Sequence, residues 1–174
     1  MVLRRVIADS SSIILLQKVD LLGIFLHHYQ VVVPDHVYDE LTCKHKKGSS
    51  ELQHLLSANI VKTSDNIVVR GMGRGESSVI RLYFDGVGDF VLIDDKKGAN
   101  YCKAYGIPFV NSLLVSRILR LAGVISENTR RAAAQQLIEN GYYSAGIIRK
   151  AAAIRDIDLQ QFLPLSAGGN DIFR

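Results

Sequence analysis

At 174 residues, with 48% hydrophobic and 22% charged, the chain has the balance and length of one globular domain with a substantial core. No apolar run approaches the roughly 20 residues of a membrane span. The apolar stretch after the basic start at Met1–Arg5 is broken at once by Asp9 and three serines, unlike a secretory signal, and two unpatterned cysteines give no disulfide framework. These features favour a cytoplasmic, reducing setting, and a net charge of +4 is compatible with a nucleic-acid partner without requiring one.

Val2–Ala8 reads as a short strand that ends on Asp9-Ser10-Ser11-Ser12, strong helix-start chemistry. Helices follow over about 11–18 and 21–29. Val31–Val33 is apolar throughout, so a buried strand. Pro34 suits the first turn of a helix that runs to about Thr42. A polar, basic loop from Cys43 to Ser50 and a short helix over 51–57 come next. Ile60–Lys62 and Ile67–Val69 are weak strand candidates around a turn at 64–66. A glycine loop at 71–75 opens a helix over 76–84. Phe90–Ile93 is the clearest buried strand, closed by Asp94-Asp95, and a helix runs on to about Tyr105. Pro108–Val110 is the final strand, and Asn111-Ser112 caps a helix to about Leu121. Two helices, 127–140 and 144–155, complete a single domain over 1–165, with 166–174 expected to be a flexible tail.

Strands that alternate with helices and are apolar throughout imply a parallel sheet covered on both faces. In such sheets, ligands bind beyond the carboxyl ends of the strands. Asp9, Asp94 and Asp95 fall at such ends. Glu40 lies about 60° from a stripe centred on Val37, whereas Asp39 lies about 200° away. Glu40 is therefore expected to lean towards the core and Asp39 towards solvent. Glu76 lies within about 60° of Val79, Ile80 and Tyr83. Helix-dipole compensation explains an acid in a first turn but not that inward direction. Neighbours on a strand point to opposite faces, so one of Asp94 and Asp95 is expected to be a primary ligand, and periodicity leaves open which. Carboxylates about 4 Å apart repel by about 4 kcal/mol at an effective dielectric near 20, so gathering them calls for protons or a cation. Oxygen donors without Cys or His companions favour Mg²⁺ or Mn²⁺. Cys43, His45 and His36 have no regular spacing for a soft-metal site.

Four segments, taken in order, resemble the acidic motifs of PIN-domain nucleases: Ile7-Ala8-Asp9-Ser10-Ser11, Val33-Pro34 through Glu40-Leu41, Gly73-Arg74-Gly75-Glu76, and Leu92-Ile93-Asp94-Asp95-Lys96-Lys97-Gly98. The likeness covers about residues 3–122 and is greatest to the prokaryotic subgroup related to VapC-type toxins. It implies a three-layer α/β fold with a central parallel sheet flanked by helices, a Mg²⁺ or Mn²⁺ site and hydrolysis of RNA phosphodiester bonds. It also implies homodimerisation and an antitoxin partner. Carried over, the acidic positions are Asp9, Glu40, Glu76 and Asp95, with Asp94 beside the last as a further metal ligand. Ser11 matches a water-holding position. Relatives carry glycine and threonine after the last strand; this chain has Asn111-Ser112 there. Arg74, Lys96 and Lys97 are candidates for holding the nucleic-acid backbone by proximity in sequence.

Two rivals stand beside this reading. One is a non-catalytic PIN-like domain that binds RNA or a protein. The other is a phosphohydrolase, which needs a second Asp close behind the nucleophilic one, and Asp9-Ser10-Ser11 lacks it.

Overall fold

The computed structural model describes residues 3–42, 53–56, 60–63, 74–140 and 143–165. Expectations for the loop at 43–50, the strand at 67–69, the glycines at 71 and 73 and the tail at 166–174 fall outside them. The strands are β1 (Arg4–Ala8), β2 (Tyr29–Pro34), β3 (Ile60–Thr63), β4 (Phe90–Leu92) and β5 (Phe109–Val110). They form one parallel sheet in the order β3-β2-β1-β4-β5. The order sets the first functional constraint. From β1 the chain winds outwards through β2 to β3, then crosses back to add β4 and β5 on the other side of β1. The winding reverses between β1 and β4, where an open parallel sheet leaves a crevice at its carboxyl edge.

Helices cover both faces, as strands apolar throughout require. Val6, Ala8, Phe90 and Leu92 point into the larger core. It is closed by α1 (Ser10–Lys18), α2 (Leu22–His28), α3 (Asp35–Thr42), α6 (Ser112–Leu121), α7 (Glu127–Glu139), α8 (Ala145–Ala153) and α9 (Asp156–Leu159). The alternate residues Ile7, Val91 and Ile93 point the other way, onto α4 (Arg74–Phe84) and α5 (Lys96–Ala104). This period of two is the physical basis of the three layers.

Several helix starts are fixed by side chains. Asp9, Asp95, Asn111, Ser126 and Ser144 accept from the backbone N–H of Ser12, Gly98, Leu114, Thr129 and Ile147 respectively. Each cap contributes about 1 kcal/mol. The C-terminal segment is tied to the start of the chain. The Tyr29 hydroxyl donates to the carbonyl of Phe162 at 2.7 Å, and Arg4 donates to the carbonyl of Gln161. The Phe162 ring meets Phe90 edge-on at 5.1 Å. Arg117 donates to the carbonyls of Ala151 and Ile154, at the end of α8.

Two sequence expectations change. Pro34 is the last residue of β2, paired with Thr63, and α3 starts one residue later. A proline fixed near φ −65° suits the approach to a helix as well as its first turn. Glu40 is exposed, like Asp39. The buried stripe of α3 comprises Val37, Tyr38 and Leu41. Including Tyr38 moves its centre, so that Glu40 falls about 105° from it, outside the buried arc.

Gly98 marks the tightest approach beside the site. A Cβ there would lie 2.0 Å from Cδ1 of buried Ile93. Gly98→Ala is expected to destabilise the fold by about 1–3 kcal/mol, as overpacking does. Adding Ile93→Val removes the clashing methyl, so the double variant should lose less than the sum of the singles. Urea unfolding of the four proteins checks this.

Candidate metal centre

The site is built where β1 and β4 end side by side. Ala8 pairs with Leu92, and the N–H of Asp9 donates to the carbonyl of Leu92 at 3.3 Å. The residues just beyond these strands, Asp9 and Asp94, therefore share one edge of the crevice. Each is half-buried. Asp9 is held by its role as N-cap: Oδ1 accepts from the N–H of Ser12 at 2.9 Å, and Oδ2 accepts from the Ser11 hydroxyl at 2.7 Å. Burial raises the Asp9 carboxyl above the usual carboxylate range, the Asp94 charge adds to that rise, and the Ser12 and Ser11 donors oppose it.

Asp94 sits among donors. On β5, Val110 pairs with Leu92, which sets Ser112 opposite Asp94 two residues further on. The Ser112 N–H lies 3.1 Å from both carboxylate oxygens, and its buried hydroxyl donates to Oδ2 at 2.5 Å. The Tyr143 hydroxyl donates to Oδ1. Tyr143 is buried, and burial followed by the Asp94 charge pushes its phenol well above the ordinary range, so it stays a neutral donor. Asn111-Ser112 thus supplies both a helix cap and two hydrogen bonds to Asp94 in place of the glycine and threonine of relatives.

Asp95 has a different partner. It is exposed, and its Oδ2 accepts from the N–H of Gly98 at 2.9 Å as the N-cap of α5. The reason is the strand alternation, which continues past the last paired residue. Leu92 points into the larger core and Asp94 follows it, whereas Ile93 points onto α4 and α5 and Asp95 follows that direction. The resemblance favours Asp95; the geometry sets Asp94 beside Asp9.

The other sequence candidates are spread around this pair. Glu40 is exposed on α3, which packs against α1 just behind Asp9. Glu76 lies in the first turn of α4, which packs on β1, β2 and β4, and its side chain is outside the described residues, as is that of Arg74. Lys96 and Lys97 are exposed in the first turn of α5. Among the described residues no group of three or more His, Cys, Asp or Glu side chains is assembled for a metal ion. Asp9 and Asp94, at the same sheet edge, offer hard oxygen donors, and burial makes the Asp9 charge costly, so the two fit a hard divalent cation. Tyr143 was not legible in the sequence. It stands 49 residues from Asp94, in a segment that carries no motif.

The family described as DUF3368, PIN domain, matches residues 5–154. The chain belongs to the PIN-domain family. PIN domains are usually nucleases and typically use divalent metals. The match runs past the four motifs and includes Tyr143. Among solved structures, a PilT N-terminus domain protein from the hyperthermophilic archaeon Sulfolobus solfataricus P2 is similar at 12% identity and a TM-score of 0.45, over 74% of this chain and 92% of that one. No curated protein matches the chain.

The raised Asp9 carboxyl has a consequence for stability. The folded protein holds this proton more tightly than the unfolded chain. Its contribution is therefore fully present below the ordinary value of 3.8 and is lost as pH rises through the raised folded value. Asp9→Asn removes the charge and keeps a capping oxygen. The metal-free variant should melt above the wild type at pH 7, with the difference shrinking as pH falls through the raised folded value and gone below about pH 4. Thermal unfolding in EDTA across pH measures it; a lower Tm for the variant at pH 7 contradicts the account.

Proposed function

We propose that this PIN domain is a metal-dependent endoribonuclease that hydrolyses RNA phosphodiester bonds, and that it is of the group related to VapC-type toxins. The observation that carries the reading is the Asp9–Asp94 pair at the point where the sheet reverses, with Asp94 fixed by three donors. Asp9 and Asp94 hold the ion, and Glu76 and Glu40 complete the acidic set. Bound Mg²⁺ or Mn²⁺ supplies a water of lowered pKa and neutralises charge developing on the phosphate.

The chain's own groups do the positioning. Ser11 and the Ser12 N–H fix the rotamer of Asp9, and Ser112 with Tyr143 fixes that of Asp94. Orientation by such outer partners is worth about 10- to 100-fold in metal affinity or activity. Each donor also withdraws charge from its carboxylate, so the pair is held together before the ion binds. RNA as substrate, an antitoxin, a second copy of the chain as partner and a cytoplasmic setting all belong to the same proposal.

The neighbouring aspartates provide the test. With purified protein, Mn²⁺ and a structured RNA, Asp94→Asn should lower cleavage by about 100-fold or more, a loss of ~2.7 kcal/mol of transition-state stabilisation. Asp95→Asn should cost less than about threefold, because asparagine also caps a helix. Mn²⁺ affinity by calorimetry should fall for Asp94→Asn alone. A wild type that leaves the RNA intact, or an Asp94→Asn variant that cleaves as fast, would overturn the assignment in favour of a non-catalytic binding domain.

A further inference from the structure

A cavity of about 730 Å³ opens beside Asp94, between α5 and α8. Asp94 and Tyr143 line one end of it. Its walls are mainly apolar and include Phe109, Leu114 and Ile147. Three exposed lysines from two helices stand around it: Lys96 and Lys103 on α5 and Lys150 on α8. Lys97, one residue along, is not among the lining residues. The volume lies within the range of small-ligand sites.

The ammonium groups distinguish this cavity from the other basic recess. That recess, of about 320 Å³, is lined by Arg117, Arg120 and Arg130. Its guanidinium groups are already taken: Arg117 pairs with Asp156 at 2.5 Å, and Arg120 and Arg130 pair with Glu127 at 3.1 Å and 2.6 Å. Hydrogen bonds from Arg130 and Arg131 pull the Glu127 carboxyl down to about 2, so the pairs persist over the working pH range. Among the described residues, Lys96, Lys103 and Lys150 form no ion pair. Lys103 instead holds its ammonium group 5.9 Å from the centre of the Phe109 ring.

An apolar slot with an aromatic wall, lysines without an acidic partner among the described residues at its rim and the Asp94 carboxylate at its end suits a nucleotide. We propose that the cavity receives a nucleotide of single-stranded RNA adjoining the bond to be cut. The base lies against Phe109 and Ile147, and the flanking phosphates lie on Lys103 and Lys150. Stacking on an aromatic beside a cation is sequence-tolerant, because every base has a π face. An apolar peptide would satisfy the walls and leave three ammonium groups unneutralised, and an acidic one would lack the planar ring that stacks on Phe109; a nucleotide supplies both. The proposal rests on the nuclease reading for the direction of the strand, but the binding it describes does not depend on hydrolysis.

The α8 helix supplies a matched pair of variants. The lining residues Gly146, Ile147, Lys150, Ala151 and Ile154 share one face, and exposed Arg149 lies about 130° from its centre. Binding of a fluorescein-labelled single-stranded oligoribonucleotide of about 12 nucleotides is measured by anisotropy with the full chain in EDTA. Lys150→Glu should weaken binding about 5- to 10-fold and flatten the salt dependence by about one unit of slope. Arg149→Glu makes the same charge change on the opposite face and should change affinity less than about twofold. Equal effects of the two variants, or none from Lys150→Glu, would overturn the proposal and favour a protein occupant. Competition by inorganic polyphosphate as effective as unlabelled RNA would also overturn it, because the base would then contribute nothing. If the two variants differ as expected and the wild type does not cleave, the nuclease reading fails and the nucleotide site stands. If the wild type cleaves and Lys150→Glu binds and cleaves normally, the reverse holds.

Discussion

Two carboxylates are held beyond adjacent parallel strands, half-buried at one edge of the sheet, and the rest of the site is arranged around that placement. The pairing of Ala8 with Leu92 brings Asp9 and Asp94 to the same edge. Neither can retreat into solvent without breaking what fixes it: Asp9 is the cap of α1, and Asp94 is the acceptor of Ser112 and Tyr143. Donors on each carboxylate disperse part of the charge, yet burial, with a smaller push from the Asp94 charge, still raises the Asp9 carboxyl. That costly charge is what a hard cation would neutralise. The site is thus strained in the electrostatic sense while its backbone remains regular.

The same strand alternation that separates the two cores also separates the two adjacent aspartates. Asp94 follows the direction of Leu92, and Asp95 that of Ile93. One carboxylate joins the crevice, and the other starts a helix that covers the opposite face. The adjacent acids are therefore not redundant. Gly98 connects the two roles, since the N–H that caps onto Asp95 belongs to the residue that must lack a side chain for α5 to lie close over Ile93.

Much of this was legible in the residues. The apolar strands, the caps after Asp9 and Asn111 and the alternation of strand and helix were enough to give a covered parallel sheet and acids at strand ends. Only the direction of Glu40 differs from the reading, because a stripe centred on Val37 omitted Tyr38, whose ring is buried despite its hydroxyl. The choice between Asp94 and Asp95 was open because the sequence does not say how far the alternation persists beyond a strand's last pair. Tyr143 was invisible for a different reason. Its contact with Asp94 depends on how α7 turns back towards the sheet, and no local pattern encodes that.

The clamp on Asp94 also imposes an order of assembly. Synthesis runs from the N-terminus, so β1, β4 and the capped α6 are all made before Tyr143 exists. A nascent chain has Asp9 and Asp94 long before it has the phenol that braces one of them, and the contacts of Phe162 with Tyr29 and Phe90 close later still. The bracing of Asp94 is therefore a late event of synthesis, and a chain that stops short of Tyr143 carries Asp9 and Asp94 without it.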